Sequence, residues 1–250
     1  MSVQSLAGRR DNRSVDELRP IELIRRYTRY APGSVLSCFG HTKVIVTATI
    51  EERVPRHVHV KNQTSGEQQG WITAEYAMLP GATHTRSNRD KLYPSGRSQE
   101  IQRLIGRTMR TAVDLRHLGA RTITLDADVL QADGGTRVAA ITGAYVALVD
   151  ALKTLVADKK LDNLPVITPI AAVSVGIIDG CPMLDLCYEE DSSAEVDANV
   201  VMNALGQFLE VQATAESAPF DAKQLEAMLA LAKAGIEKLF DYQQAALMAA

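Results

Sequence analysis

The sequence contains little that would place it in a membrane or an oxidising compartment. Its three cysteines, Cys38, Cys181 and Cys187, form no CxxC pair and lack zinc-ligand spacing. An odd number of cysteines cannot be fully paired within one chain, so we expect a reducing, cytoplasmic location. The N-terminus, MSVQSLAGRRDNR, is polar, and no run approaches 18 apolar residues. We therefore expect neither a signal peptide nor a membrane span.

Several motifs that define large enzyme classes are also missing. The chain has no GxxxxGK[ST] phosphate loop, no GxSxG nucleophile elbow and no HExxH zinc motif. These absences argue against P-loop nucleotide hydrolysis and against the hydrolases and metalloproteases that the other two motifs define. Any chemistry must therefore come from other arrangements of polar residues.

Charge is distributed unevenly along the chain. The net charge is −3, yet residues 1–121 hold 20 of the 27 Lys and Arg residues and only 11 of the 30 acidic residues. Most of these basic residues are Arg, whose planar guanidinium suits bidentate contact with phosphate. Two solvated faces of opposite sign, packed together or in a dimer, would give the same pattern.

The residue patterning predicts an α+β fold in which hairpins and long helices form two related halves of a single domain, 1–160 and 161–250. Strands followed by helices, without regular βα alternation, favour this class. The predicted hairpins cover 32–52, 171–191 and 199–216, with further strands at 71–79 and 122–130. Helices are predicted at 98–118, capped by Ser98, at 138–157 and at 221–248, and loops at 53–70 and 80–97.

Two predicted helix starts carry the features of an anion site. Gly135, Thr136 and Arg137 lie between a strand and a buried helix, where unpaired backbone N–H groups and the helix dipole attract anions. Arg97 directly precedes the other predicted helix, which begins at Ser98. If the two starts meet, two guanidinium groups and two helix dipoles would hold one phosphate. A tight turn capped by Thr136, with Arg137 on the surface, is the alternative.

Acidic residues concentrate in the segment LDLCYEEDSSAEVDANV, which contains no basic residue. Asp185 is predicted to lie in a strand, Asp191 after its end, and Asp197 just before the next strand. Carboxylates brought together in this way would suit Mg²⁺, which prefers oxygen ligands, or would place a general acid beside a leaving group. A solvated acidic loop is the alternative.

The loop at 80–97 is basic and includes Arg86 and Arg89. Flexible cations of this kind contact phosphate backbones, and an aromatic such as Tyr93 can stack on bases. A solvated loop without a ligand would have the same composition.

Taken together, these segments resemble the ribonuclease PH family of phosphate-dependent 3′→5′ exoribonucleases, which trim tRNA precursors. The resemblance covers nearly the whole chain, although the loop at 53–70 is longer than the family pattern leads us to expect. It is carried by six segments in the same order: GSVLSCFGHTKVIVTATIEE, GWITAEYAMLP, THTR, EIQRLIGR, DVLQADGGTR and NVVMNALGQFLEVQATAE.

The resemblance implies roles for individual residues. Arg97, Gly135, Thr136 and Arg137 match the family's phosphate site. Asp191 and Asp197 match its catalytic acidic loop, with Asp185 as a weaker metal candidate. Arg86 and Arg89 match its RNA-binding arginines.

The resemblance also implies a fold, partners and a reaction. The fold would be like domain 2 of ribosomal protein S5, with βαβ-type halves, mixed sheets and a long C-terminal helix. The partners would be tRNA precursors and other RNA 3′ ends, in a homohexamer built as a trimer of dimers. Inorganic phosphate would be the co-substrate, with Mg²⁺, and nucleoside diphosphates the products of a reversible reaction. A non-catalytic RNA-binding subunit of an exosome-like ring is the alternative function, and two-metal hydrolysis is a third.

Overall fold

The computed structural model describes Arg9 and residues 11–88 and 95–249. Within these residues the chain forms strands and helices that belong to two sheets. The strands are β1 Ile21–Arg25, β2 Gly33–Phe39, β3 Thr42–Glu51, β4 Trp71–Met78, β5 Thr122–Gln131, β6 Ile170–Ile178, β7 Cys181–Leu184, β8 Val196–Asn203 and β9 Phe208–Ala215. The helices are α1 Arg56–Ser65, α2 Gly96–Ala112, α3 Leu115–Leu118, α4 Thr136–Ala157, α5 Tyr188–Asp191 and α6 Ala222–Met248.

The predicted α+β class is confirmed. The first sheet has the order β1-β2-β3-β5-β4 and is mixed, because β4 and β5 run parallel while its other pairs are antiparallel. The parallel pair is joined by a crossover that contains α2, as parallel neighbours require. The second sheet, β7-β6-β8-β9, is antiparallel throughout. Parallel and antiparallel strand pairs therefore occur together in the first sheet, while the described strand pairs of the second sheet are all antiparallel.

The core surrounds helix α4. This helix packs against β2 and β3 of the first sheet and against β6 of the second, and most of its side chains are buried. Among the described helices it alone has the length and hydropathy of a membrane span, but 89% of that apolar window is buried inside the protein. Side chains from both sheets belong to one continuous hydrophobic cluster. The division into halves at residue 160 stays a prediction.

The three predicted hairpins and the C-terminal helix are present, while several local predictions were wrong. Residues 56–65 form α1 rather than part of a loop, although only Val58 and Asn62 of this helix are buried. With so few buried positions, α1 shows no helical period in the sequence. Strand β1 was not predicted. The predicted helix at 98–118 is two helices, α2 and α3, separated by the extended residues Val113 and Asp114.

Candidate active site

Helix α2 begins earlier than the sequence suggested. Its N-cap is Ser95, whose Oγ accepts a hydrogen bond from Ser98 N at 3.1 Å. Ser98 is therefore inside the helix and is not its cap, a correction to the sequence prediction. Arg97 becomes the second residue of α2 and is exposed. Its guanidinium extends from the first turn, where the backbone N–H groups concentrate positive charge.

Helix α4 begins with a glycine turn that lies against the acidic segment. Gly135 is the N-cap, with a left-handed φ of 65°, so Thr136 is not the cap. Gly134 also has a positive φ, and a Cβ atom placed there would be 2.6 Å from the Leu186 carbonyl oxygen. Glycine thus permits both the backbone conformation and the close approach to the chain that leads to α5. Thr136 is buried, and its hydroxyl is 2.8 Å from the hydroxyl of Tyr76.

Asp191 and Asp197 form a carboxyl pair. Asp191 is the last residue of α5, and Asp197 is the second residue of β8 rather than preceding a strand. Their side chains share a hydrogen bond. Burial, followed by the charge of Asp191, raises the pKa of Asp197 to about 6. Burial also raises the pKa of Asp191, against the opposing charge of Arg97 and the hydrogen bond from Asp197. Such a pair retains a proton more readily than isolated carboxylates do.

The two arginines and the two carboxyl groups lie within electrostatic range of one another. The charges of Arg97 and Arg137 both act on Asp191, and that of Arg137 also acts on Asp197. The same two guanidinium charges act on Tyr76, whose hydroxyl contacts Thr136. Burial raises the pKa of Tyr76, and the two charges oppose that rise. The structure therefore brings the two helix starts to the carboxyl pair.

Arg137 has two partners that the sequence did not indicate. Its Nη1 is 3.3 Å from Glu100 Oε1 in α2 and also donates to Gln212 Oε1 in β9. The Arg137 side chain is only 12% exposed. The sequence around Gln212 contains no motif that would predict a contact with Arg137. The contact follows from the pairing of β8 with β9, the strand that contains Gln212.

The basic loop is only partly described. Arg86 is exposed, whereas Arg89 and Tyr93 lie outside the described residues. His84 of this loop is near Tyr188 of α5, with ring centroids 6.4 Å apart. The described part of the loop thus lies beside the helix that carries Asp191.

Asp185 has a different environment from the pair. It follows the end of β7 rather than lying within a strand, and its side chain is fully buried. Both of its carboxylate oxygens accept hydrogen bonds from Arg19, at 2.7 and 3.1 Å. Among the described residues, no cluster of three or more His, Cys, Asp and Glu side chains is arranged to hold a metal.

Two models of one protein family match most of the chain. Residues 17–153 match the model of the 3′ exoribonuclease family, domain 1, and residues 168–235 match that of domain 2. The chain is 57% identical over 242 residues to Ribonuclease PH of Synechococcus sp. (strain JA-2-3B'a(2-13)), covering 96% of this chain and 97% of that protein.

Solved structures share the fold at lower identity. Rice (Oryza sativa) Rrp46 is 18% identical with a TM-score of 0.75, covering 96% of this chain and 100% of that one. A chain of the Archaeoglobus fulgidus exosome, solved with RNA bound to the active site, is 23% identical with a TM-score of 0.78, covering 94% and 92%. With two family models matched and a relative at 57% identity over nearly its whole length, this chain belongs to the ribonuclease PH family of 3′ exoribonucleases.

Proposed function

We propose that this protein is a phosphorolytic 3′→5′ exoribonuclease that trims the 3′ ends of tRNA precursors and releases nucleoside diphosphates. The observation that carries the proposal is the convergence of two arginine-bearing helix starts on one half-buried carboxyl pair. Cleavage by phosphate requires a site for a free anion beside a site for a leaving oxygen, and this arrangement supplies both.

The attacking phosphate would bind between the starts of α2 and α4. The backbone N–H groups in the first turn of α4 would donate hydrogen bonds to the phosphate oxygens. Gly135, the N-cap, has no side chain to block this approach, and Thr136 belongs to the same turn. Arg97 and Arg137 would add charged donors from either side. Arg137 would exchange its contact with Glu100 for the phosphate, because Glu100 is 43% exposed and can turn towards solvent.

The carboxyl pair would act at the leaving group. A phosphate oxygen attacks the phosphorus of the last phosphodiester, the bond from that phosphorus to the 3′ oxygen of the preceding nucleotide breaks, and the 3′ oxygen takes a proton. The Asp191–Asp197 pair would supply this proton, since the pKa of Asp197 is raised to about 6. The reverse reaction would add a nucleotide from a diphosphate at the same site.

In the alternative role, the pair would hold Mg²⁺, for which both carboxyl groups are deprotonated. Asp197 Oδ1 is buried and accepts no hydrogen bond from the described residues, and Asp191 lies beside it. One or two carboxylates together with substrate phosphates are a common ligand set for this ion. When bound, Mg²⁺ would neutralise charge on the reacting phosphates. Asp185 is left out of this set because Arg19 occupies both of its oxygens.

RNA binding would involve Arg86 and Arg89 around the site. We further propose a homohexamer, built as a trimer of dimers, that presents the 80–97 loop several times along one RNA path. A cytoplasmic location is consistent with three cysteines that are all free. A non-catalytic ring subunit is less favoured, because such a chain has no need of arginines at two helix starts facing a half-buried carboxyl pair.

The proposal is tested by incubating the protein with a 3′-extended tRNA, with and without inorganic phosphate, and identifying the mononucleotide released. Nucleoside diphosphate, formed only when phosphate is present, is the expected product. Nucleoside monophosphate released at an undiminished rate without phosphate would instead indicate hydrolysis. Absence of any release under both conditions would favour the non-catalytic alternative.

A further inference from the structure

Arg19 is a buried charged residue that the proposed chemistry does not use. It lies two residues before the start of β1 and is 4% exposed. Its Nη2 and Nε atoms donate to Asp185 Oδ1 and Oδ2 at 2.7 and 3.1 Å, and its backbone N donates to Oδ2 at 2.8 Å. Its remaining nitrogen, Nη1, donates to the carbonyl oxygen of Asp133 at 2.5 Å. One side chain therefore contacts two separate segments of the chain.

The first of these segments leads to the carboxyl pair. Asp185 has a left-handed φ of 54°, and its backbone N donates to Ser174 O at 2.7 Å. Only Leu186 and Cys187 separate it from α5, which ends at Asp191. Arg9 and Arg13 also donate to the Asp185 carbonyl, at 3.0 and 3.1 Å. The position of Asp185 thus determines where α5 begins.

The second segment is the glycine turn at the start of α4, called the phosphate turn from here on because phosphate is proposed to bind there. Asp133 and Gly134 immediately precede Gly135, the N-cap of α4. Thr42 also holds this turn, since its Oγ1 donates to Gly134 O at 2.6 Å. The turn and the acidic segment meet where Tyr188 N donates to Asp133 Oδ1 at 3.2 Å. Of the three arginines that contact Asp185, only Arg19 has a hydrogen bond to the turn among the described residues.

We propose that Arg19 is a positioning residue, which through Asp185 and Asp133 sets the separation between the phosphate turn and the carboxyl pair. The inference rests on the proposed function of that site. It assigns Arg19 no contact with substrate. In-line attack requires the phosphate and the leaving oxygen to be held at a fixed distance, and a small displacement lowers the rate steeply.

The chain contains a matched control for a purely structural role. Arg25 and Asp150 form a second buried pair, with Nε–Oδ2 and Nη2–Oδ1 distances that are both 2.7 Å. Arg25 connects β1 to α4 and to the end of α6, and among the described residues it has no hydrogen bond or ion pair with the turn or the acidic segment. Arg19→Lys and Arg25→Lys each keep the positive charge and remove the fork that makes several hydrogen bonds at once.

The experiment compares these two variants in stability and in phosphorolysis with phosphate varied. Both variants are expected to lower the melting temperature. Arg19→Lys is expected to lower kcat by about 10- to 100-fold, the size expected of a displacement near 1 Å. The KM for phosphate should change less than kcat, because the turn moves together with the phosphate bound to it. Arg25→Lys should leave kcat near that of the unmodified protein.

Asp185→Asn provides a second measurement if Arg19→Lys folds poorly. It should lower kcat in the same way, and the double variant should be no worse than the more severe single variant, because both changes break one link. The inference would be overturned if Arg19→Lys and Asp185→Asn kept normal kcat, or if Arg25→Lys lost as much kcat as Arg19→Lys. Failure of the unmodified protein to release diphosphates would instead refute the proposed function.

Discussion

At the scale of single residues, Arg97 and Arg137 occupy equivalent positions, each the second residue of its helix. Both place a guanidinium group beside first-turn N–H groups, so either one alone can form a charge-assisted contact with phosphate. The contacts of Arg137 with Glu100 and Gln212 fix the direction of its side chain.

Arg97→Ala and Arg137→Ala should each weaken the use of phosphate. Removing one charge-assisted contact costs roughly 1.5–3 kcal/mol, so kcat/KM for phosphate should fall by about 10- to 150-fold. The measurement is phosphorolysis of a short RNA with phosphate varied. Arg103→Ala is the control, because Arg103 is exposed on the same helix. If both variants depended on phosphate as the unmodified protein does, Arg97 and Arg137 would not be phosphate-binding residues.

Asp191→Asn and Asp197→Asn should each abolish turnover while RNA binding is retained. Asparagine keeps the size of the side chain but removes both the charge and the transferable proton, so the loss should appear in rate rather than affinity. Single-turnover phosphorolysis with Mg²⁺ and a separate binding assay distinguish the two. Near-normal turnover in both variants would show that the pair is not part of the chemistry.

The same pair predicts how stability depends on pH. In the folded protein the pKa of Asp197 is raised to about 6, above its usual value of 3.8, so the folded state holds this proton more tightly. The stability contributed by that proton is fully present below about pH 4 and is lost as the pH rises through 6. Asp197→Asn should therefore raise the melting temperature at pH 7–8, and the gain should vanish near pH 4. Thermal unfolding in EDTA measures this, and a gain that is independent of pH would contradict it.

At the scale of elements, the phosphate turn packs closely against the segment that leads to α5. Gly134→Ala would place a Cβ atom 2.6 Å from the Leu186 carbonyl, in a residue whose φ is 74°. Gly180 has a similar φ of 71° at a hairpin tip, with no atom within 4 Å of its Cβ position. Both substitutions place alanine in a left-handed backbone conformation, but only the one at Gly134 adds a steric clash.

Gly180→Ala should therefore cost about 1–2 kcal/mol of stability, the usual penalty for a left-handed residue, and leave turnover unchanged. Gly134→Ala should destabilise more and also lower kcat, because the turn must move away from the acidic segment. Chemical unfolding together with phosphorolysis of a short RNA measures both effects. Equal stability and equal turnover in the two variants would show that the close approach has no functional consequence.

At the scale of the whole molecule, the proposed RNA contact of one chain rests on only two loop arginines, Arg86 and Arg89. Each phosphate neutralised on single-stranded RNA contributes a salt slope of only about −0.7. A ring would raise the local concentration of such contacts, and it would let a chain of net charge −3 attract RNA through a basic face. We therefore expect light scattering to give the mass of a hexamer. A stable, fully active monomer would refute the assembly.

Combining Arg86→Ala with Arg89→Ala should weaken binding of a tRNA precursor and flatten its salt dependence. Degradation of a very short RNA should suffer less, because that substrate reaches only the phosphate turn and the carboxyl pair. Titrations at several salt concentrations and phosphorolysis of both substrates measure the difference. Equal losses on long and short RNA would contradict the role assigned to the loop.

The sequence by itself determined the elements whose signals are local. The hairpin between β6 and β7 follows from Asp179-Gly180, because both residues adopt the positive φ of a tight turn. The apolar run after Arg137 produced the buried helix α4, and the order of the family segments identified the family. Local patterning could not reveal α1, because Val58 and Asn62 alone are buried and leave no stripe to detect.

Only the tertiary structure decided which polar residues act together. Asp185, Asp191 and Asp197 all lie in one acidic segment of the sequence. Asp185, however, is held by Arg19, 166 positions away, while Asp191 and Asp197 interact with each other and both have a raised pKa. Gln212 contacts Arg137 only because β9 pairs with β8 beside the start of α4. These contacts join residues that are distant in sequence, so their formation depends on how the two sheets pack around α4 and not on any local propensity.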